Sequence, residues 1–440
     1  MDKLKASIQQ FEVENFKYTN NAIRYLPIGP DTPQSQGLDW LLVYKNIYQN
    51  LFGLACKHRN RDELYTRVLE DIKSKRNTKD LHDLIKTVYI KNITKSKISP
   101  YENLVYESPR ALARTKTMVD VFNTMLSGFE AVDIDFDGSN FLEEIINLST
   151  REQCVEYYSE TSNASYLPFL ANKLKQDFTF LSAHPDYLNE NFEAVIEVYA
   201  FLYLVQLSLH LHLPNARFSE PSSQEVYFIL EGEKASKERY LAYSKGFKRI
   251  LDKKHGIALD VFPHLGYLEL ISSSPLWLLN QVSHDSSHIN DINHLNKLIC
   301  DKFDITFTGE KPTFQEAIND GLSYHKQLFL MTSKTSTRIG ANEKIRDAFA
   351  DNFAKNFRVN KGRAGGWYFQ LNTKTVLILT NLIIGSKEKL LIDEVVEGFN
   401  QRGIYFDLKS KQALLAIYEN IGNVIKLSDS GDAVYVTNTI

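Results

Sequence analysis

Cysteine is scarce in this sequence of 440 residues, which contains three of them. Cys56, Cys154 and Cys300 lie roughly a hundred or more residues apart, and no two of them form a CxxC pair. Zinc ribbons and disulfide-stabilised small domains require closely spaced, paired cysteines. The spacing therefore supports neither a zinc ribbon nor a disulfide framework, and it favours the reducing environment of the cytoplasm.

A hydrophobic leader and an uninterrupted membrane span are also missing. The N-terminal residues Met1–Phe16 contain acidic and amide side chains instead of the apolar run of a signal peptide. The most apolar stretch, Val195–Leu213, includes Glu197, His210 and His212. A spanning helix needs about 20 mostly apolar residues without such side chains. We therefore expect Val195–Leu213 to be a buried core helix in a cytoplasmic protein with no membrane partner.

Motifs of the common enzyme classes are missing as well. The chain has no GxxxxGK[ST] phosphate-binding loop, no GxSxG nucleophile elbow and no D…ExK pair after a strand. The segment Gly362–Gly366 reads GRAGG, but it lacks the lysine and the helix that complete a phosphate-binding loop. We therefore expect no catalytic residue and no cofactor, although a triad assembled from distant segments stays open.

One acidic segment, DIDFDGSNFLEE at Asp133–Glu144, matches the calcium-loop pattern D-x-D-x-D-G-x5-E. Several of its features are atypical of such a loop. Asn140 stands where an apolar residue normally pairs with a second loop, and Ile134 and Phe136 replace polar residues. No partner loop exists in the sequence. An acidic surface turn that caps the next helix is therefore the preferred interpretation, with calcium binding as the alternative.

The segment HDSSHINDINH contains His284, His288 and His294. His284 and His288 are four residues apart and would share one face of a helix, as metal-binding pairs do. No glutamate follows the first histidine, and His294 would lie on roughly the opposite side of a straight helix. We therefore predict a polar loop without a metal ion, and we keep a metal-dependent nuclease as an alternative function.

The composition is that of a large folded protein. Hydrophobic residues make up 43% of the chain and aromatic residues 12%, which is enough to bury large cores. Apolar residues recur at helical spacing through most of the chain, and no regular alternation of strands and helices appears. We predict a mainly α fold with three regions. These are a helical N-terminal region at 1–130, a helical central domain at 131–360 and a winged-helix domain at 365–440.

The charge distribution limits any contact with nucleic acid to local surfaces, because the net charge is −3. The most basic segment, 72–116, contains eleven Lys and Arg and four Asp and Glu, a local charge of 11 − 4 = +7. Tyr89, Tyr101 and Tyr106 are interleaved with these charges and would suit stacking on bases. A solvated helix face is the simpler interpretation of this segment, and a phosphate-facing surface is the alternative.

The C-terminal region shows helical patterns separated by stop signals. Arg358–Trp367 is basic and rich in glycine, which is typical of a linker. A short strand and a helix that ends at Gly385 are predicted after it. A second helix is predicted at Lys389–Gly403. A third helix would start after Asp407 as its N-cap and end at Gly422, before a hairpin with turn residues at 429–432. This order is typical of a winged helix.

The third helix of a winged helix usually lies in the major groove of duplex DNA. At 100° per residue, its predicted buried side consists of Leu414, Ile417, Tyr418 and Ile421. Lys409, Gln412 and Ala416 lie on the opposite side, and Lys and Gln suit contact with base edges. Further basic residues are expected to contact DNA: Lys411 at the flank, Lys426 in the wing, Lys374 near the first helix start and Arg363 before the module. Glu419 also points outward, so docking of a protein partner is the alternative.

Two C-terminal segments resemble a bacterial family. They are GGWYFQLNTKTVLILTNLIIG at Gly365–Gly385 and RGIYFDLKSKQALLAIYENIGNVIKLSDSGDAVYV at Arg402–Val436. The family is the DNA phosphorothioation-dependent restriction protein DptG, also called DndG. The overall length and the opening YLPIGPDTPQSQGLDWLLVYKNIYQNLFG are similar as well.

The resemblance implies that two partner subunits, DptF and DptH, act with this protein to restrict DNA that lacks phosphorothioate. It also implies that the ATPase features belong to the partners, and it carries over no catalytic residue.

We therefore expect a non-catalytic DNA-binding or adaptor subunit of a bacterial restriction complex that acts in antiviral defence. Its expected partners are DNA and subunits resembling DptF and DptH. A metal-dependent nuclease is one alternative, and metal-dependent cleavage by the purified chain would reveal it. A scaffold is the other alternative, in which the winged helix holds a partner protein and does not contact DNA.

Overall fold

The computed structural model describes residues 23–29, 37–58, 61–76, 83, 87, 100–106, 112–132, 141–158, 164–282, 285–330, 339–426 and 433–440. Most of these residues are helical, and short strands form small sheets among them. The mainly α fold class predicted from the sequence is confirmed at this level.

The described residues form two compact units. The first unit consists of the described residues within Leu38–Ser162 and Leu174–Ile196. The second unit consists of the described residues within Met1–Gly37, Asn163–Lys173 and Glu197–Ile440. Residues 197–440 thus share a single unit, whereas the sequence analysis put a boundary after residue 360. The reason lies in a sheet, described below, that joins strands from both sides of that boundary.

The first unit is helical, with one two-stranded ladder. Its main elements are helices α1 (Trp40–Phe52), α2 (Arg61–Arg76), α3 (Ala113–Leu126) and α4 (Phe141–Arg151), and strands β1 (Leu54–Cys56) and β2 (Cys154–Glu156). Asp39 caps α1 by accepting a hydrogen bond from the N–H of Leu42. Gly53 ends α1 with a φ of 60°, which favours glycine. Aromatic rings fill the core, where Tyr48 stacks on Phe192 with ring centroids 4.0 Å apart.

Helices α5 (Pro168–Ser182) and α6 (Pro185–His212) contribute residues to both units. Helix α6 is long and apolar enough to cross a bilayer, by length and composition alone. However, 89% of its most apolar 18-residue window is buried inside the protein. A buried core helix passes the same test of length and composition, and α6 is buried as the sequence predicted for Val195–Leu213.

Further helices of the second unit follow α6 along the chain. They are α7 (Pro214–Arg217), α8 (Tyr240–Ser244), α9 (Phe247–Leu251), α10 (Ala258–Ile271), α11 (Leu276–Asn280), α12 (Ser286–Phe303), α13 (Phe314–Leu328) and α14 (Ile339–Ala348). The Tyr267 hydroxyl in α10 donates a hydrogen bond to Asn296 in α12 at 2.7 Å. The Asn296 amide donates to the Ala317 carbonyl in α13 at 2.8 Å. These bonds connect three helices through buried polar groups.

The remaining strands and the last helices follow. The strands are β3 (Val226–Leu230), β4 (Arg358–Asn360), β5 (Trp367–Leu371), β6 (Lys389–Leu391), β7 (Ile404–Phe406), β8 (Val424–Lys426) and β9 (Val434–Thr437). The helices are α15 (Gly362–Gly365), α16 (Thr373–Ile384), α17 (Ile392–Asn400) and α18 (Leu408–Ile421).

A four-stranded sheet joins the central and C-terminal parts of the sequence. Its strand order is β4-β5-β3-β7, and β3 is parallel to both of its neighbours. The side chain of Phe228 in β3 is fully buried, opposite Phe369 on one side and Phe406 on the other. The prediction of a linker at Arg358–Trp367 is wrong, because this segment forms β4, α15 and the turn into β5.

A three-stranded antiparallel sheet lies in the C-terminal part, with strand order β6-β9-β8. Asn372 caps α16 by accepting a hydrogen bond from the N–H of Thr375 at 2.8 Å. The predicted second helix at Lys389–Gly403 begins later, because Lys389–Leu391 pairs with β9 as a strand and α17 starts at Ile392. The predicted hairpin turn at 429–432 lies outside the described residues.

Candidate nucleic-acid interface

Helix α18 contains three of the predicted DNA-contacting residues, and its start is fixed by a side-chain cap. Asp407 precedes the helix, and its carboxylate accepts a hydrogen bond from the N–H of Ser410 at 2.9 Å. A carboxylate at this position pairs an N–H group that has no partner within the helix, and it interacts favourably with the helix dipole. Gly422 ends the helix with a φ of 86°. Both ends of α18 therefore lie where the sequence predicted them.

A buried arginine anchors the start of α18 to the segment after β3. The guanidinium Nε of Arg239 donates to Asp407 at 2.9 Å, and its Nη1 contacts Glu233. Nη2 donates to the hydroxyl of Ser410 at 2.7 Å. The side chains of Arg239, Glu233 and Asp407 are only 5%, 9% and 12% exposed. Removal of one partner from such a buried network leaves an uncompensated charge, so the contacts constrain α18 strongly.

The charges in this network are stabilised by one another. Burial alone would raise the pKa of Asp407, but hydrogen bonds from Arg239 and from the N–H of Ser410 outweigh burial and hold that pKa below its ordinary value. Burial alone would lower the pKa of Arg239, yet the hydrogen bond to Asp407 and the charge of Glu233 raise it. Asp407 and Arg239 therefore remain charged at neutral pH.

One face of α18 is exposed, opposite the buried side chains of Leu414 and Tyr418. The exposed residues include Leu408, Lys409, Lys411, Gln412, Ala416, Glu419 and Asn420. The formal charges of Lys409 and Glu419 on this face cancel, and Lys411 at the flank of the helix adds one positive charge. The prediction that Ile421 is buried is wrong, since it is 40% exposed at the last residue of the helix. The predicted pair Lys409 and Gln412 does lie on the exposed face.

The structure groups some of the predicted contact residues and separates others. Lys426 in β8 lies beside α18, because its Nζ donates to Glu419 at 2.7 Å. Both of these side chains are exposed, and exposed ion pairs contribute about 0–1 kcal/mol, so a phosphate can compete for this lysine. Lys374 is exposed in the first turn of α16, and Arg363 is exposed in α15. These two residues lie on elements other than α18 and β8.

A tryptophan and an arginine contact each other on the β4–β5 pair. Trp367 is 40% exposed, and the Arg358 guanidinium lies 5.1 Å from its ring centroid. Phe247 stacks on the same tryptophan with ring centroids 5.5 Å apart. Arg358 also donates to Asp351 at 2.7 Å. Sequence analysis missed this pair, and the available signal was an aromatic residue beside basic residues in a glycine-rich segment.

The basic segment 72–116 lies partly outside the described residues, and some of the side chains that the structure does describe are buried. Tyr101 is 4% exposed, and the Tyr106 hydroxyl donates to Asp39 at 2.9 Å. Arg114 is 7% exposed within α3. The prediction that Tyr101 would suit stacking on bases is therefore wrong, since its ring is buried, whereas Tyr106 is half-buried and bound through its hydroxyl. Tyr89 lies outside the described residues.

Histidines singled out in the sequence have polar partners within the protein. Burial lowers the pKa of His210 to about 4, and the ring lies 2.8 Å from the carbonyl of Ser222. His212 lies 3.0 Å from Asp260, which also accepts a hydrogen bond from Lys326.

The segment around His288 differs from its prediction. A polar loop was expected there, but α12 begins at Ser286, because Asp285 caps it by accepting the N–H of His288. His294 is exposed on the same helix, and His284 lies outside the described residues. The first eight residues of the calcium-loop match, 133–140, also lie outside them. Within the part of the chain that the structure describes, no group of three or more His, Cys, Asp or Glu side chains could hold a metal ion.

In comparisons with known proteins, no protein-family model matches this chain, and no curated protein matches it at a significant level. The resemblance of the C-terminal segments to the DptG family therefore stays a prediction.

Proposed function

We propose that Thr373–Thr437 forms a winged helix that contacts duplex DNA, and that the protein is a non-catalytic DNA-binding subunit. One observation carries the proposal: helices α16, α17 and α18 are combined with a sheet in which the last strand, β9, lies between β6 and β8. This arrangement of three helices and a small antiparallel sheet is typical of winged helices. Helix α18 would then take the place of the recognition helix that helix-turn-helix proteins lay in the major groove.

The side chains at the start of α18 support this assignment. Lys409 and Gln412 are exposed, and lysine and glutamine can donate hydrogen bonds to base edges in the major groove. Lys411 is exposed at the flank, where phosphate is the expected contact. The Arg239 network fixes the helix start, so these side chains would meet DNA from a rigid base. Preorganised contacts lose less conformational entropy on binding than mobile ones.

The resemblance to the DptG family extends the proposal to a biological role. On that basis the chain would act in a restriction complex on DNA that lacks phosphorothioate, together with subunits resembling DptF and DptH. The absence of a phosphate-binding loop from the sequence is consistent with ATPase activity in a partner. Within such a complex this subunit would supply contact with DNA and a surface for assembly.

A second function, protein docking, is favoured by the apolar side chains near the same surface. Leu408 is 72% exposed at the start of α18, while Ile421 and Ile425 at its other end and in β8 are 40% and 37% exposed. The pair between Lys426 and Glu419 also reduces the free positive charge. Exposed apolar residues at an otherwise polar surface are frequent in protein interfaces.

The proposal is tested by fluorescence anisotropy of a labelled duplex with the purified full chain at several salt concentrations. We expect binding that weakens steeply with salt, because phosphate contacts release counterions. Lys409→Glu should weaken binding roughly tenfold, which is the loss expected for a base-edge contact of about 1–3 kcal/mol. Lys411→Ala should weaken binding on all sequences and reduce the salt slope by about 1. Lys344→Glu is the matched control, because Lys344 is an exposed lysine on α14.

Each outcome has a distinct meaning. Equal weakening by Lys409→Glu and Lys344→Glu would point to non-specific attraction and remove α18 as the contact surface. No binding by folded wild-type protein would reject the DNA-binding function and leave protein docking, which Leu408→Asp should then disrupt in a partner pull-down. A difference in affinity between plain and phosphorothioated duplexes would assign sensing of the modification to this chain.

A further inference from the structure

The first unit brings together two cysteines that lie 98 residues apart in the chain, Cys56 and Cys154. They face each other in the antiparallel ladder of β1 and β2. Both side chains are partly exposed, whereas Cys300 in α12 is 1% exposed. The two thiols are therefore neighbours in the folded protein. The spacing of the three cysteines in the sequence did not predict this pair.

The register also decides which type of pair the cysteines form. Residues opposite one another in an antiparallel ladder alternate between hydrogen-bonded and non-hydrogen-bonded pairs. The N–H of Lys57 donates to the carbonyl of Gln153 at 3.3 Å, so this adjacent pair is hydrogen-bonded. Cys56 and Cys154 therefore occupy a non-hydrogen-bonded pair, in which Cα atoms lie about 4.5 Å apart. That separation falls inside the range of about 4.4–6.8 Å that a disulfide requires.

The surroundings favour a thiolate on Cys56. A hydrogen bond from the thiol of Cys154 lowers the pKa of Cys56 to about 6, and it outweighs the opposing effect of burial. The N–H of His58, with the charges of His58 and Lys45, acts in the same direction. The pKa of Cys154 is raised, chiefly because its proton is held by Cys56. The carbonyl of Thr150, 3.6 Å from the Cys154 sulfur, is a second acceptor for that proton.

We propose that Cys56 and Cys154 are a reversible redox site, at which a peroxide oxidises Cys56 and Cys154 resolves the product as a disulfide. In the first step the Cys56 thiolate attacks one oxygen of hydrogen peroxide and the O–O bond breaks. Cys56 becomes a sulfenic acid, and the released hydroxide takes a proton to form water. In the second step the sulfur of Cys154 attacks the Cys56 sulfur and the S–O bond breaks. The departing oxygen leaves as water with the Cys154 proton.

The overall change is balanced: two thiols and one peroxide give one disulfide and two waters. Two molecules of reduced glutathione, or one dithiol of a thioredoxin-type protein, would restore both thiols by thiol–disulfide exchange. The next pair on the same face of the ladder, Leu54 and Glu156, lines a cavity of about 550 Å³ together with Arg151. The disulfide would therefore fix one wall of this cavity.

The test uses the purified full chain, reduced and then treated with hydrogen peroxide. Intact mass should fall by two hydrogen atoms, and peptide mapping without reduction should recover a Cys56–Cys154 cross-link that thiol reductant reverses. Cys154→Ala should stop the reaction at a sulfenic acid on Cys56 that dimedone traps. Cys300 is the internal control, because burial raises its pKa to about 11 and its thiol should stay unmodified.

Alkylation with iodoacetamide provides a second readout. At neutral pH Cys56 should react on the order of tenfold faster than Cys300 or more, because its thiolate is populated. Its rate should rise with pH to a plateau with a midpoint near pH 6, and Cys154→Ala should move that midpoint upward toward an ordinary thiol, with His58 and Lys45 unchanged. Peroxide treatment that gives only disulfides between molecules, or equal labelling of Cys56 and Cys300 in folded protein, would overturn the proposal.

Discussion

The C-terminal region after Trp367 and the β1–β2 ladder differ in how far apart their contacting residues lie in the sequence. In the C-terminal region each helix begins or ends at a local signal, such as Asn372 for α16 or Gly422 for α18. In the ladder, Cys56 meets Cys154 across 98 residues. Capping and stop signals act within one helical turn, whereas strand register depends on two segments meeting in the folded state.

One set of residues determines where a helix starts, and another set determines which part of the protein the helix packs against. Helix α18 has a local cap in Asp407, and the same carboxylate is held by Arg239, 168 residues earlier in the chain. The cap specifies where the helix starts, and the arginine joins that start to the segment after β3. A helix can therefore be predicted from local sequence while its partner cannot.

The largest effect is expected from removing the distant contact of α18. Arg239→Ala leaves Asp407 and Glu233 buried without their counter-ion, and loss of one partner from a buried pair costs about 3–5 kcal/mol. The measurement is urea unfolding followed by circular dichroism, read as the midpoint at constant slope. Lys234→Ala, an exposed neighbour, is the control and should change the free energy of unfolding by less than about 0.5 kcal/mol. Equal stability of the two variants would mean that the network does not anchor α18.

The disulfide is expected to have the next largest effect. Closing the loop between Cys56 and Cys154 restricts the unfolded chain, and disulfides typically contribute about 2–4 kcal/mol. The melting temperature of the first unit should therefore rise by roughly 5–15 °C on oxidation, as measured by differential scanning calorimetry. The rise should disappear in Cys154→Ala. A lower melting temperature for the oxidised protein would indicate that the bond strains the ladder, contrary to the register derived above.

The ends of several elements could be predicted, because their signals are short-ranged. The N-cap Asp407 and the helix-ending residues Gly385 and Gly422 lie where the sequence put them. The three residues Lys389–Leu391 could not be distinguished from the helix that follows. Their strand conformation depends on pairing with β9, which lies more than forty residues later.

Part of the candidate interface could also be predicted, because helical periodicity is a short-range signal. Helical periodicity alone predicts that Lys409 and Gln412 lie opposite Leu414, and the structure agrees. Periodicity cannot predict that Glu419 meets Lys426, nor that Trp367 contacts both Arg358 and Phe247. Those contacts join separate elements, and their charges and rings have no spacing rule in the sequence.

A purely local cap should have a smaller effect than the Arg239 network. Asn372→Ala removes the side-chain oxygen that accepts the N–H of Thr375, and loss of such a cap costs about 1 kcal/mol. Asp407→Ala removes a cap and a buried ion pair together, so it should cost several times more. The same urea unfolding experiment compares them. If both caps cost the same, the contribution of Arg239 to the position of α18 is negligible, and the comparison between local and distant contacts fails for this helix.

The smallest expected effect concerns binding rather than stability, and its sign is opposite to that of the lysine variants. Glu419→Gln removes a negative charge from the exposed face of α18 and releases Lys426 from its ion pair. If this face contacts DNA, the affinity for duplex should increase about two- to threefold at low salt, which equals roughly 0.5 kcal/mol, within the range of an exposed pair. The advantage should shrink as salt screens the charge.

Glu343→Gln, on the exposed surface of α14, is the matched control and should leave affinity unchanged. An equal gain from both variants would show that only net charge matters, and weaker binding by Glu419→Gln would mean that the Lys426 pair orders the DNA-contacting surface instead of blocking it.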